Sequence, residues 1–224
     1  MPKKMINAQM ILFFDTETTG LIPKNSGQPM PYILQLSYVL YDTFRNCIVE
    51  KYNQYVRIPE DVCISDEVTR ITGITREMCD NGVPISECLY AFKKSYQRAD
   101  LLVAHNIQFD MSMIRAEIRR HITPLFKDDA SAADALEFID MFKLDKPTYC
   151  TMMKSVKLCD IRPTPETKYP KYPKLAELWR KLFPEDDVPE SMHDAITDVL
   201  VCMRCYLKLT NTREMTFEEF SDLM

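Results

Sequence analysis

Three apolar or alternating segments near the start of the chain have the pattern of β-strands. Met10 to Phe14 is a compact apolar run followed at once by the carboxylate of Asp15, which predicts a central strand with an acid at its C-terminal end. Ile33 to Tyr41 and Ile48 to Val56 are rich in Val, Ile, Leu and Tyr, with a turn-like stretch, Asp42 to Asn46, between them. These two segments predict an antiparallel extension of the first strand.

From Asp61 onward, the apolar positions take on the period of a helix. Two short strands, Leu101 to His105 and Thr148 to Thr151, interrupt this pattern. The predicted helices cover Ser65 to Ile71, Ser86 to Gln97, Asp110 to about Arg120 before Pro124, the residues after Thr151 to about Leu158, Leu175 to Phe183, and Ala195 to Leu207. Because strands alternate with helices, the sequence predicts an α/β fold, a mixed sheet of about five strands flanked by helices.

Composition and charge limit the kinds of protein that the chain can form. At 224 residues, of which 46% are apolar, the chain can bury one core of good size, and no repeat or linker divides it. We therefore expect one domain over residues 1–224. Eight cysteines without a secretory signal predict reduced thiols in an intracellular protein of the cytoplasm or nucleus. No apolar run approaches the roughly 20 residues that cross a bilayer, and the net charge of −5 argues against coating nucleic acid over a large footprint.

The first candidate chemistry is a pair of acids at the end of the first strand. Asp15 and Glu17 lie two residues apart on extended backbone, so both side chains point to the same face. Two acids at the end of a buried strand are unfavourable unless they are paired or bind a metal ion. The pair could share a metal ion or could be an ordinary solvated pair on a loop.

Asp110 is the next candidate acid. It lies five residues beyond His105, at the predicted start of a helix. Aspartate is also a favoured N-cap at such a position, so a structural role is a strong alternative. We expect His105 and His121 to be structural or surface residues.

The spacing of His193 and Asp198 restricts where they can lie. Five residues of regular helix correspond to a rotation of about 500°, so two residues in one helix with this spacing would point about 140° apart. His193 is therefore expected on the loop before a helix that contains Asp198. Asp194 shares a helical face with Asp198 and is a rival metal ligand, although capping the helix would also suit it.

Three motifs in this order closely resemble those of the DnaQ-like DEDDh family of 3′-to-5′ exonucleases. They are Phe14-Asp-Thr-Glu-Thr-Thr-Gly-Leu21, His105-Asn-x-x-Phe-Asp110 and His193-Asp-Ala-x-x-Asp198. The stretches Arg70 to Thr75 and Leu101 to Asn106 are also similar to the family. The resemblance covers about residues 10–207 and implies a ribonuclease H-like fold.

The resemblance also implies roles for particular residues. Four acids would hold two Mg²⁺ or Mn²⁺ ions, a set able to cut a phosphodiester. These acids are Asp15, Glu17, Asp110 and Asp198. His193 would be the general base that takes a proton from the attacking water. The terminal nucleotide would meet Thr16, Thr18 and Leu21.

The expected activity is the release of nucleoside monophosphates from single-stranded or frayed 3′ ends. DNA is the preferred substrate, as in proofreading or repair, and trimming of RNA 3′ ends is the main alternative. A second alternative is a nucleic-acid-binding scaffold whose catalysis is secondary. The chain would act alone or as a small proofreading-type subunit with a polymerase or other protein as partner, and its oligomeric state is not predicted.

Two segments go beyond what the motifs require. Phe126 to Pro147 is acidic, and its role stays unassigned. Ile161 to Lys174 holds four prolines among lysines and tyrosines and is expected to be an extended surface excursion. The excursion could follow a nucleic-acid backbone and stack bases, or it could be a solvated proline-rich loop.

Overall fold

The computed structural model describes residues 8–25, 27–125 and 145–224. Within them lie six strands, which are β1 (Met10–Thr18), β2 (Ile33–Asp42), β3 (Cys47–Arg57), β4 (Val83–Pro84), β5 (Leu101–Ala104) and β6 (Thr148–Cys150). The helices in this part of the chain are α1 (Asp66–Thr72), α2 (Arg76–Asp80), α3 (Ile85–Arg98), α4 (Ile107–Leu125), α5 (Thr151–Cys159), α6 (Leu175–Leu182), α7 (Ala195–Leu209) and α8 (Phe217–Ser221).

The strands form one mixed sheet in the order β4-β3-β2-β1-β5-β6. β2 pairs antiparallel with both β1 and β3, whereas β5 is parallel to β1 and β6 is parallel to β5. The predicted α/β class and mixed sheet are confirmed. The sixth strand, β4, has two residues, which is too short for a hydrophobic period to reveal.

The two faces of β1 pack against different helices. Leu12 and Phe14 belong to a core shared with α3 and α4, and the Phe14 ring meets Phe92 edge-on with centroids 5.3 Å apart. Ile11 and Phe13 belong to a second core, shared with α6, α7 and α8. Because side chains alternate along a strand, odd-numbered residues at the end of β1 share the α7 face.

The parallel pairing of β1 with β5 brings both C-terminal ends to one edge of the sheet. α4 begins directly beyond that edge, at Ile107 rather than at the predicted Asp110, and continues past Arg120 to Leu125. Asn106 turns the chain with a φ of 77°, which Asn tolerates better than most residues, so residues 107–109 join the first turn. Near the other end, Pro124 removes one N–H donor in the last turn, and the helix forms in spite of it.

Several other predictions can be compared with the fold. The excursion from Ile161 to Lys174 contains neither helix nor strand, as expected. The short helices α2 and α8 were not predicted. Of the acidic segment Phe126 to Pro147, residues 126–144 lie outside the described residues. All eight cysteines are free thiols, and among the described helices none combines the length and apolar character needed to cross a lipid bilayer.

Candidate active site

The end of β1 supplies the first two acids of the site. Asp15 and Glu17 follow Ile11 and Phe13 on the α7 face of the strand, as the two-residue spacing predicted. Carboxylate oxygens of Asp15, Glu17 and Asp198 all lie within 4.8 Å of one another. The C-terminal end of β1 and the first turn of α7 therefore bring these three carboxylates together.

Asp110 reaches the same edge from α4. The residue is 2% exposed, and its Oδ1 accepts hydrogen bonds from the Thr16 backbone N–H at 3.1 Å and the Thr16 hydroxyl at 2.8 Å. Thr16 lies between the two β1 acids, so these bonds join α4 to the centre of the acid pair. The alternative role as N-cap does not apply, because the helix already begins at Ile107. We refer to Asp15, Glu17, Asp110 and Asp198 as the acidic cluster.

The structure separates Asp198 from its rival Asp194. Asp198 lies one turn inside α7 and joins the acidic cluster, whereas Asp194 precedes the helix. One Asp194 oxygen accepts a hydrogen bond from the Gln35 amide at 2.7 Å, and the other accepts one from the Thr197 hydroxyl at 3.2 Å. Asp194 occupies the N-cap position without a side-chain capping bond. Its negative charge still lies at the favourable end of the helix.

His193 lies on the loop before α7, where the spacing argument placed it. Its backbone has a φ of 76° and its N–H points toward Asp198 Oδ1 at 3.4 Å. The side chain is exposed. Left-handed backbone is uncommon outside glycine, and such conformations concentrate at functional sites, where surrounding contacts hold them.

Gln35 is a site residue that sequence reasoning missed. It is fully buried on β2 opposite Glu17, and its Nε2 donates to Asp194 and to Asn53 Oδ1 at 2.9 Å. Its Oε1 accepts the first backbone N–H of α7, from Ala195, at 3.2 Å. Gln35 thus fixes the start of the helix that carries Asp198. A long polar side chain between Leu34 and Leu36, in a strand rich in apolar residues, was the available signal.

Burial raises the pKa of every carboxyl in the acidic cluster. The pKa of Asp15 lies well above its usual value, first because of burial and then because of repulsion from Asp110 and Asp198. Burial, followed by repulsion from neighbouring acids, raises the pKa of Glu17 to about 8. Burial also raises the pKa of Asp110 and of Asp198 to about 7, although hydrogen bonds oppose the rise. Unpaired negative charge is therefore unfavourable here.

The chemistry of the acidic cluster fits divalent metal ions. Carboxylate oxygens are the ligands that Mg²⁺ and similar hard cations prefer. Within the described part of the chain, no Lys or Arg forms an ion pair with these four acids. Bound cations would supply the positive charge that the side chains lack and would lower the raised pKa values.

The predicted nucleotide contacts surround the end of β1. Thr16 and Thr18 alternate with the acids along β1 and are buried, and the Thr18 hydroxyl donates to the Gly20 carbonyl at 2.7 Å. Leu21 is 84% exposed on the loop that follows. An exposed leucine four residues after Glu17 is available to contact a ligand.

His105 has the structural role that was expected of it. Its Nε2 donates to the Pro173 carbonyl at 3.0 Å, and its Nδ1 lies 2.9 Å from the Thr151 hydroxyl. Burial lowers the pKa of His105 to about 4, so the ring is neutral at pH 7. The histidine ties the end of the proline-rich excursion to the sheet.

Comparison with known proteins gives a family and a fold for this arrangement. The model of a family described as Exonuclease (RNase_T) matches residues 12–206. The PolC-type DNA polymerase III of Streptococcus pyogenes serotype M2 is 31% identical over 125 residues, which are 56% of this chain and 8% of the polymerase.

Two solved structures share the fold. Exonuclease I of E. coli, in complex with a dA16 oligonucleotide, aligns with a TM-score of 0.64 and 18% identity, over 96% of this chain and 42% of that one. A 3′-exonuclease in a structure of 3′-end specific recognition of a histone mRNA stem-loop aligns with a TM-score of 0.62 and 17% identity, over 91% and 82% of the two chains. The chain thus spans less than half of exonuclease I and a small part of the polymerase.

Proposed function

The chain belongs to the Exonuclease family, as a DEDDh-type 3′-to-5′ exonuclease, and we propose that it releases nucleoside monophosphates from single-stranded or frayed 3′ ends, with DNA as the preferred substrate. One observation carries the proposal. Carboxylate oxygens of Asp15, Glu17 and Asp198 lie within 4.8 Å of one another, and the Asp110 carboxylate is hydrogen-bonded to the residue between the first two. Acids gathered in this way suit hydrolysis of a phosphodiester.

The four acids of the cluster would hold two divalent ions, Mg²⁺ or Mn²⁺. Both hydrogen bonds from Thr16 end on Asp110 Oδ1, which leaves Oδ2 as the oxygen for a metal ion. When bound, such ions lower the pKa of a coordinated water and stabilise charge on the attacking and leaving oxygens. Through such ions the four acids would fix the position of the phosphate.

His193 would act as the general base. Its exposed imidazole lies on the loop whose backbone N–H points toward Asp198, so the ring can meet a substrate at the cluster from the solvent side. In this role the imidazole takes a proton from the attacking water. Gln35 would be a positioning residue, because it is fully buried and holds Asp194 and the start of α7.

Residues around the end of β1 would bind the terminal nucleotide. The exposed side chain of Leu21 would pack against its base, and Thr16 and Thr18 would shape the wall beside its sugar and phosphate. The wall that these residues form would block a strand that continued past this nucleotide, so the site would select a free 3′ end.

Three similar proteins bear on the choice between DNA and RNA. The sequence match to a DNA polymerase and the fold match to an exonuclease bound to dA16 favour DNA. The histone mRNA 3′-exonuclease favours the second candidate, trimming of RNA, because 82% of its chain aligns.

Parallel digestion of single-stranded DNA and RNA of one sequence, each 5′-labelled, tests the substrate. With Mg²⁺ or Mn²⁺ present, we expect the initial rate on DNA to exceed that on RNA. A faster rate on RNA would replace the DNA assignment with the RNA one. Degradation of neither strand would contradict the proposed function itself.

A further inference from the structure

Residues 151–174 carry a charge opposite to that of the whole chain. Six of them are Lys or Arg and two are Asp or Glu, whereas the full chain has a formal net charge of −5. Two of the bases are paired, Arg162 with Asp160 at 3.0 Å and Lys171 with Glu177 at 2.6 Å. The exposed bases of this segment that form no ion pair with the described residues include Lys154, Lys157 and Lys168.

Two tyrosines of the same segment project into solvent. Tyr169 is 70% exposed and Tyr172 is 60% exposed, on backbone stiffened by prolines. The Lys168 ammonium lies 5.3 Å from the centre of the Tyr169 ring. Aromatic rings that stack bases, interleaved with cations that meet phosphates, are the features by which proteins bind single strands without reading their sequence.

The excursion is fixed beside the acidic cluster. The Pro173 carbonyl accepts a hydrogen bond from His105, the residue directly after β5. The other nitrogen of His105 meets Thr151, whose hydroxyl lies 3.5 Å from the Cys202 sulfur. Cys202 is one helical turn beyond Asp198 on α7. The C-terminal end of the excursion is therefore anchored at the edge of the sheet where the acids converge.

We propose that five exposed residues of segment 151–174 bind the single-stranded part of the substrate upstream of its 3′ nucleotide. These residues are Lys154, Lys157, Lys168, Tyr169 and Tyr172, and we call them the basic surface. The proposal rests on the proposed function, because it takes the acidic cluster as the point where the 3′ end lies. On an acidic protein, a local excess of positive charge attracts a polyanion to that place.

Binding measured without cleavage tests the basic surface directly. Fluorescence anisotropy in excess chelator would compare a 5′-labelled single strand of about 20 nucleotides with a dinucleotide, for the wild type and three variants. We expect Tyr169→Ala and Tyr172→Ala each to weaken binding of the long strand on the order of tenfold, with a much smaller effect on the dinucleotide. Lys168→Gln should reduce the dependence of log Kd on log salt by about 0.7.

Matched controls come from the far side of the molecule. Phe44 is 84% exposed in the turn after β2, which lies beside the start of β1, at the edge opposite the acids. Lys94 is exposed on α3, against the other face of the sheet. Phe44→Ala and Lys94→Gln should bind the long strand as the wild type does. The proposal is overturned if Tyr169→Ala and Tyr172→Ala also bind it as the wild type does.

Two further experiments distinguish a failure of the basic surface from a failure of the proposed function. The same titrations with RNA show whether affinity increases with strand length for DNA, for RNA or for both. If affinity increases with length for neither, the proposal is overturned. Hydrolysis of the p-nitrophenyl ester of thymidine 5′-monophosphate by the wild-type protein tests the acidic cluster without a strand. If neither this ester nor an oligonucleotide is hydrolysed, the proposed function fails, while the anisotropy experiment still decides the basic surface.

Discussion

The acidic cluster and the basic surface differ in charge and also in burial. Asp110 is 2% exposed and the pKa values of the cluster are raised, whereas Tyr169 is 70% exposed on a solvated excursion. Buried charges of one sign destabilise a fold, and exposed charges change stability little. A fold that keeps buried charges of one sign therefore indicates that these residues serve catalysis. Exposed charges can bind a ligand with little effect on the stability of the fold.

Because of this difference, substitutions in the two regions should change different measured quantities. Changes in the acidic cluster should alter the chemical step on every substrate and should also alter stability. Changes in the basic surface should alter affinity for long strands and leave the fold intact. Four predictions concern the acidic cluster and its supports, beginning with the largest expected effect.

Asp15→Asn should reduce the exonuclease rate on the order of 10³-fold or more, because the metal site loses a charged ligand at its centre. Steady-state digestion of a labelled strand across a Mg²⁺ titration measures this loss. Asp100→Asn is a control, since Asp100 binds the backbone N–H groups of Gln9 and Met10 at the opposite end of β1. Nearly unchanged activity in Asp15→Asn would remove Asp15 from the site.

His193→Ala should lower the rate roughly 10²- to 10⁴-fold, the usual scale for loss of a general base. The variant should still bind metal and a single-stranded oligonucleotide. Digestion rates and calorimetric metal titration together measure this. If metal affinity fell along with activity, His193 would be a ligand and not a base.

Gln35→Leu should reduce kcat on the order of tenfold and change KM less, because the loop with His193 loses its support. The unfolding free energy should also fall by about 1 to 3 kcal/mol, since Asp194 and the Ala195 N–H lose their partner. Gln54→Leu makes the same chemical change at an exposed position of β3. Equal falls of kcat in the two variants would show that Gln35 has no positioning role.

The last prediction concerns the pH dependence of stability. The pKa values of Asp110 and Asp198 rise from 3.8 to about 7, and that of Glu17 rises from 4.5 to about 8. Between the ordinary pKa values of the unfolded chain and the raised values of the folded protein, the folded protein binds more protons. The unfolding free energy of the metal-free protein should therefore fall as pH rises from about 4 to about 8. Calorimetric Tm at pH 5 and pH 8, with and without Mg²⁺, measures this.

Added Mg²⁺ should restore Tm most strongly at pH 8, because the ionised cluster binds it. Asp198→Asn should flatten the pH dependence and stabilise the metal-free protein at pH 8, because the variant removes a carboxylate whose charge is unfavourable in the folded state. Asp187→Asn offers a comparable change at a residue outside the acidic cluster. A metal-free Tm that rises over this pH range would contradict the burial of charge described here.

The sequence predicted those features that depend on local geometry. The shared face of Asp15 and Glu17 follows from the period of a strand, and the loop position of His193 follows from the rotation per residue in a helix. The role of Gln35 could not be predicted in this way, because its partner Ala195 lies 160 residues away. Likewise, the start of α4 depends on the positive φ of Asn106, which the spacing of apolar residues does not reveal.

The central claim is that the acidic cluster cuts nucleic acid from a free 3′ end with the help of divalent ions. Digestion of a 5′-labelled single strand and of a covalently closed circle of the same sequence, in Mg²⁺ and in excess chelator, tests this most directly. The structure predicts a ladder that shortens from the 3′ end in Mg²⁺, an intact circle and no cleavage in chelator. Cleavage of the circle at a comparable rate, or undiminished digestion in chelator, would contradict it.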